Sequence, residues 1–267
     1  MDAYAPIRKV PLDYNGIQSS AFSVQMEKVK EGELPKWNEV GVVGNKYLLI
    51  PNKEVNLLAD EIANESNLTW EPIRTFFDGR RYFTGRIAKS QKSEVAKDDD
   101  VALGMGFWNS YDGSQALSFR LFLVRLVCTN GMMTKDFFSS YRFKHDNTSE
   151  DYQEEIIKAA NIINNSEEQV EVVMNKFRKM NEMKFHLDDL SMIRKNIPAI
   201  PVTTWGKIVD QYLRKHDNGP FNGEDTINSY WTFYNACTDI LWHEKKPTTA
   251  SFNHNAYITD QLLGAIA

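Results

Sequence analysis

The feature that most constrains this chain is a change of apolar period near residue 149. Upstream, Leu68 to Phe77 is rich in strand-forming residues, Asp78-Gly79 is a strong hairpin signal, and Arg80 to Ala88 returns as a partner strand. Downstream, Ile156, Ile157, Ala160 and Ile163, then Val170, Val173, Met174 and Phe177, recur at a helical period. A chain that separates strands from helices in this way reads as α+β. We expect a small antiparallel sheet packed on helices, followed by a mostly helical C-terminal part. With 42% hydrophobic residues in a 267-residue chain, a sizeable core can be buried.

Turn chemistry and period divide the chain into three stretches. Residues 1–36 are polar and carry Pro6, Pro11 and Pro35, which suggests an extended arm. Residues 37–145 form the expected α+β core domain, and 146–267 a helical extension packed on it. Within the core, Tyr47 to Ile50 reads as a short strand, and Asn52 as the cap of a helix bearing Val55, Leu58, Ala59 and Ile62. Lys89 to Asp100 is charged and reads as a flexible hairpin tip or loop. Val101 to Asn109 is a third strand, and Asp112-Gly113-Ser114 a turn. Gln115 to Val127 is apolar almost throughout, so periodicity leaves strand and helix both open. A helix starts at Ser149, a helical pair runs to about 195, and Pro198 and Pro201 close it. Thr203 to Lys215 and Thr226 to His243 are further helices.

The net charge of −5 argues against a protein that coats nucleic acid over its whole surface, but the charge is unevenly spread. Residues 70–92 and 115–145 each sum to +4, whereas 146–190 sum to −6. No apolar run approaches the ~20 residues that cross a bilayer. The first residues lack the basic-then-apolar order of a signal peptide. Cys128 and Cys237 lie in apolar surroundings and suit free thiols in a reducing compartment. The expectation is a cytoplasmic protein without membrane partners.

Catalytic patterns are weak. Gly104-Met105-Gly106 lacks the spacing of a phosphate loop, and no histidine or cysteine pair has zinc spacing. Asp98-Asp99-Asp100, Asp188-Asp189 or Asp112 would have to serve a magnesium nuclease. No cofactor is implied. Arg120 and Arg125 stand in an apolar run and each needs an anionic or carbonyl partner. An internal salt bridge would supply one, and so would a phosphate, which the guanidinium fork matches.

Two segments carry a resemblance: Asn109-Ser110-Tyr111-Asp112-Gly113-Ser114 and Arg125-Leu126-Val127-Cys128-Thr129-Asn130-Gly131. Together with Tyr47 and with Asn235-Ala236-Cys237-Thr238-Asp239 leading to His243, they resemble the phage/plasmid-like protein family, a domain of unknown function (family 932), over most of residues 40–260. Tyr111 stands where the family pattern has His, and Cys237 where it has Val. A second, topological resemblance is conditional. If Gln115 to Val127 is a helix, the order resembles the β-β-β-α unit of the Rad fifty-two-like annealing proteins, which include many phage recombinases. That resemblance implies an ATP-independent protein that binds and anneals single-stranded DNA as a homo-oligomeric ring or helical array. The cations expected along its groove are Arg74, Arg80, Arg81, Arg86, Lys89, Lys92, Arg120, Arg125, Arg142 and Lys144. A metal-dependent nuclease or nucleotide enzyme, and a structural or host-interaction protein, are the alternatives.

Overall fold

The structure is a computed structural model. It describes residues 2–29, 32–128, 130–132, 140–142, 152–186, 188–198, 200–218 and 229–265. The α+β class and the helical C-terminal part are observed. Strands β1 (Ile7–Tyr14), β2 (Ile17–Lys28) and β3 (Lys36–Gly44) form a three-stranded antiparallel sheet in that order. Strands β4 (Glu71–Phe77), β5 (Arg81–Ala96), β6 (Asp99–Ser110), β7 (Ser118–Arg125) and β8 (Asn130–Met132) form the second sheet, also in chain order. Strand β9 (Ser140–Arg142) pairs with β7. The helices are α1 (Asn52–Glu65), α2 (Tyr152–Asn164), α3 (Glu167–Glu182), α4 (Asp189–Asn196), α5 (Val202–Asn218), α6 (Tyr230–Asp239) and α7 (Thr249–Ala265). A π-helical turn, Ile240–Glu244, follows α6 directly.

Contacts divide the chain into two compact units that do not follow the linear boundaries expected at 37 and 146. The first comprises Met1–Arg86, Met105–Arg120 and Ser139–Asn165, and the second Ile87–Gly104, Leu121–Phe138 and Ser166–Ala267. In the first unit, Val24, Met26, Val40, Val43 and Tyr111 form a buried cluster under the three-stranded sheet. Gly41 is needed there, because a Cβ would lie 2.5 Å from the Tyr111 carbonyl oxygen. Helix α1 buries Val55, Leu58, Ala59 and Ile62, the one-face spacing read from the sequence. In the second unit, α6 is buried along most of its length, so it has no polar face. Its Phe233 stacks on Phe185 with centroids 4.5 Å apart, and Phe177 lies 5.1 Å from Trp231.

Four local expectations are corrected. The arm expected over residues 1–36 is strand-paired: Asn15 (φ 53) and Gly16 (φ 80) turn β1 into β2, and Pro11 sits where the register shifts, a place where its missing N–H costs no ladder bond. Tyr47 to Ile50 is not a strand, since β3 ends at Gly44. Lys89 to Ala96 is not a loop but the outer half of β5, and the chain turns at Lys97 and Asp98, where Asp98 has φ 59. Asn52 does not cap α1: Pro51 holds that position, and the Asn52 amide instead donates to the Ala3 carbonyl at 3.0 Å. The segment left open, Gln115 to Val127, contains strand β7. The order from Glu71 to Arg125 is therefore four strands in succession, and the condition for a β-β-β-α unit is not met. The expected helix start at Ser149 lies outside the described residues.

Candidate nucleic-acid interface

The hairpin tip between β4 and β5 is held by one carboxylate. Asp78 Oδ1 accepts from the backbone N–H of Arg80 (3.1 Å) and of Arg81 (2.9 Å), while Gly79 takes φ 96. The Arg80 carbonyl accepts from the Tyr111 N–H at 2.8 Å, so the tip is tied to the end of β6. Arg80 is exposed and Arg81 half-buried. Arg81 Nε donates to Ser114 Oγ at 3.1 Å, beside Asp112. Burial pushes the Asp112 carboxyl up, but hydrogen bonds from Ser114 and the charge of Arg81 outweigh it and hold the group below the usual carboxylate range. The expected turn is present: Ser114 N–H donates to Asp112 Oδ1 at 3.0 Å, and Gly113 has φ 72.

The other predicted cations scatter. Arg74, on β4, is half-buried, and that burial lowers its pKa. Arg86 is turned inward: its Nη2 reaches Asp60 Oδ1 at 2.7 Å and Asn56 Oδ1 at 2.9 Å, and its Nη1 reaches Thr84 Oγ1 at 3.1 Å. Arg120 is half-buried, with its guanidinium carbon 5.8 Å from the Trp108 ring centre. These residues belong to the first unit. In the second unit, Lys89 is exposed, and Lys92 is exposed but ion-paired with Asp100. Arg125 is buried and grips Asp99 with two hydrogen bonds, Nε to Oδ1 at 2.6 Å and Nη2 to Oδ2 at 2.7 Å. Burial pulls the Arg125 guanidinium down, but Asp99 more than offsets this and its pKa is raised. For Arg86 and Arg125 the internal salt bridge is thus the observed partner. Arg142 lies in β9, but its side chain is outside the described residues, as is all of Lys144.

A cationic and aromatic pair that the sequence does not announce lies on the three-stranded sheet. The Arg8 guanidinium stands 4.0 Å over the Trp37 ring and donates to Gln25 Oε1 from Nε (3.1 Å) and Nη2 (2.9 Å). The Asn15-Gly16 pair, a hairpin signal, is the feature of the sequence that marks these strands.

The acidic triplet does not converge. Asp98 occupies the turn, Asp99 is buried against Arg125 and Trp231 Nε1 (2.8 Å), and Asp100 pairs with Lys92. Neighbours on a strand point to opposite faces, which keeps Asp99 and Asp100 from sharing a cation.

A family model described as "Domain of unknown function (DUF932)" matches residues 39–263. No curated protein and no solved structure matches the chain.

Proposed function

Since the chain belongs to the DUF932 family, whose description carries no activity, we propose a function from the geometry: binding and ATP-independent annealing of single-stranded DNA by a homo-oligomer. The observation that carries this reading is the pinned tip, where Asp78 and Tyr111 fix the backbone and leave Arg80 projecting into solvent with Arg81 beside it. An exposed guanidinium on a pinned backbone, with a second arginine next to it in the chain, suits phosphates along a strand of any sequence. Arg8 over Trp37, in the same unit, adds a cation with a ring that a base can stack on. Strands β1 and β3 end one sheet and β4 begins the other, and sheet edges invite a second copy. The nuclease alternative is less well supported, because Asp99 and Asp100 are ion-paired with Arg125 and Lys92, and Asp112 accepts from the Ser114 backbone N–H in its turn.

The test is a titration of a labelled oligonucleotide at two salt concentrations, with and without magnesium, together with a strand-annealing assay. Replacing Arg80 and Arg81 by Ala should weaken binding alike on any base sequence. It should also reduce the salt slope by about 0.7 per lost phosphate contact. An unchanged slope with an altered base preference would overturn this assignment. Magnesium-dependent cutting would favour the nuclease, and no binding at all would favour a structural or host-interaction role.

A further inference from the structure

We propose that the second unit contains a binding site for a phosphate monoester, in a cleft formed by the start of α5, the residues after the π-helical turn and the start of α7. The cleft has a volume of about 260 Å³. Its floor is apolar, with Ile200 and Leu241, and its polar lining includes Thr204, Lys245, Lys246, Thr248 and Ser251. All of these belong to the second unit, so the inference stands whether or not the first unit binds DNA.

The two helix starts at this cleft differ. Helix α7 caps itself: Thr248 Oγ1 accepts from the Ser251 N–H at 3.3 Å, and Ser251 Oγ accepts from the Thr248 N–H at 3.0 Å. Helix α5 starts after Pro201, whose carbonyl accepts from the Trp205 N–H at 2.9 Å but whose ring offers no side-chain acceptor. The first N–H groups of a helix have no intrahelical partner and carry a partial positive charge, which makes an uncapped start receptive to an anion. A second observation points the same way. Thr204, in the first turn of α5, is 2% exposed, and its hydroxyl has no hydrogen-bond partner. A buried hydroxyl without a partner is costly, and a bound oxyanion would satisfy it.

Charge agrees with this. Lys245 and Lys246 line the cleft, no aspartate or glutamate among the described residues does, and the adjacent Glu244 is ion-paired with Lys207. The π-helical turn, a device frequent at functional sites, carries Leu241 into the floor and delivers the two lysines to the rim. The first N–H groups of α5, the Thr204 hydroxyl and the two lysine ammonium groups supply donors and positive charge to the cleft, a combination that suits a phosphate. The volume leaves room for a compact organic group over Ile200 and Leu241. The phosphate could come from a free small ester or from the 5′ end of a DNA strand.

The test uses the full chain at constant ionic strength. Thermal shift and calorimetry are run with inorganic phosphate, a nucleoside 5′-monophosphate, and oligonucleotides with and without a 5′-phosphate. Saturable stabilisation by phosphate esters, and none by chloride, is expected. Lys245→Ala with Lys246→Ala should weaken binding about tenfold or more. Thr204→Val should weaken it about tenfold while leaving the ligand-free melting temperature unchanged or higher, and Thr204→Ser should retain binding. A preference for the phosphorylated oligonucleotide assigns the strand end as the source. Equal response to both oligonucleotides, with monophosphate binding, assigns a free ester. Absence of saturable binding, or wild-type affinity in both the Thr204→Val and the double lysine variants, would overturn the proposal.

Discussion

The Asp99–Arg125 pair offers the sharpest test of whether a basic residue here is structural or a ligand contact. Both side chains are buried, at 6% and 7% exposure, and three charge-assisted hydrogen bonds converge on the one carboxylate, the third from Trp231. Removing one partner strands the other charge away from water, which costs about 3–5 kcal/mol. Arg125→Met and Asp99→Leu should each destabilise the protein by that order. The double variant removes both charges and exchanges them for apolar volume, a change that is often near neutral. What remains is the unpaired Trp231 N–H, at about 1–3 kcal/mol. The double variant should therefore cost several kcal/mol less than the two single changes added together. Urea unfolding followed by circular dichroism would measure this cycle, with folded variants titrated against a labelled oligonucleotide in parallel. If Arg125→Met cost under about 1 kcal/mol and abolished oligonucleotide binding instead, the argument for an internal pair would fail.

Two further outcomes follow from local geometry. A Cβ at Gly41 would crowd the Tyr111 carbonyl, and one at Gly131 would run into the Trp242 ring, so Gly41→Ala and Gly131→Ala should each cost about 1–3 kcal/mol; melting temperatures equal to wild type would show that these sites yield easily. Asp112 has a depressed pKa in the folded state, so its contribution is present above the unfolded value, about 3.9, and lost as pH falls through the lower folded value. Asp112→Asn should remove that part of the acid sensitivity below about pH 4, and an acid-melting profile identical to wild type would contradict the assignment.

How much was legible depended on whether local pattern or distant pairing decided the outcome. Helix α1 was readable because Val55, Leu58, Ala59 and Ile62 bury one face. Strand β7 was not, since nearly every residue from Ser118 to Arg125 is buried and no alternation survives to mark it as a strand. The outer half of β5 was missed for the opposite reason. Lys89 to Glu94 are exposed or half-exposed, and a polar strand reads like a loop when its ladder partner is unknown. The N-terminal sheet carries the Asn15-Gly16 hairpin signal, but Pro6, Pro11 and Pro35 give the same stretch the composition of an extended arm. At the candidate site, the sequence could count cations but could not pair them. Asp60 with Arg86, and Asp99 with Arg125, are each 26 positions apart. Those pairings withdrew two arginines from the expected surface and left Arg80 and Arg81 in place.

Several of the residues that carry the family resemblance cross-link the backbone inside each unit. In the first, the Asn109 amide donates to the Ile50 carbonyl (2.9 Å) and to Asn52 Oδ1 (3.1 Å), and the Tyr111 hydroxyl accepts from the Asn52 N–H (2.9 Å). Asn52 begins α1, so these bonds fix where that helix leaves the sheet. In the second unit, His243 meets the Cys128 carbonyl at 3.0 Å, and the Asn255 amide donates to the Gly131 carbonyl at 2.8 Å. Gly131 is required because Trp242 packs against it. Backbone carbonyls held by buried side chains, as those of Ile50 and Gly131 are by Asn109 and Asn255, are expensive to lose and give little purchase to a solvent-borne ligand. The motif therefore identifies the scaffold. Binding chemistry has to be sought at the positions that scaffold presents, the Arg80–Arg81 tip and the Lys245–Lys246 rim, which lie inside the matched residues 39–263 but outside the Asn109–Ser114 and Arg125–Gly131 motifs.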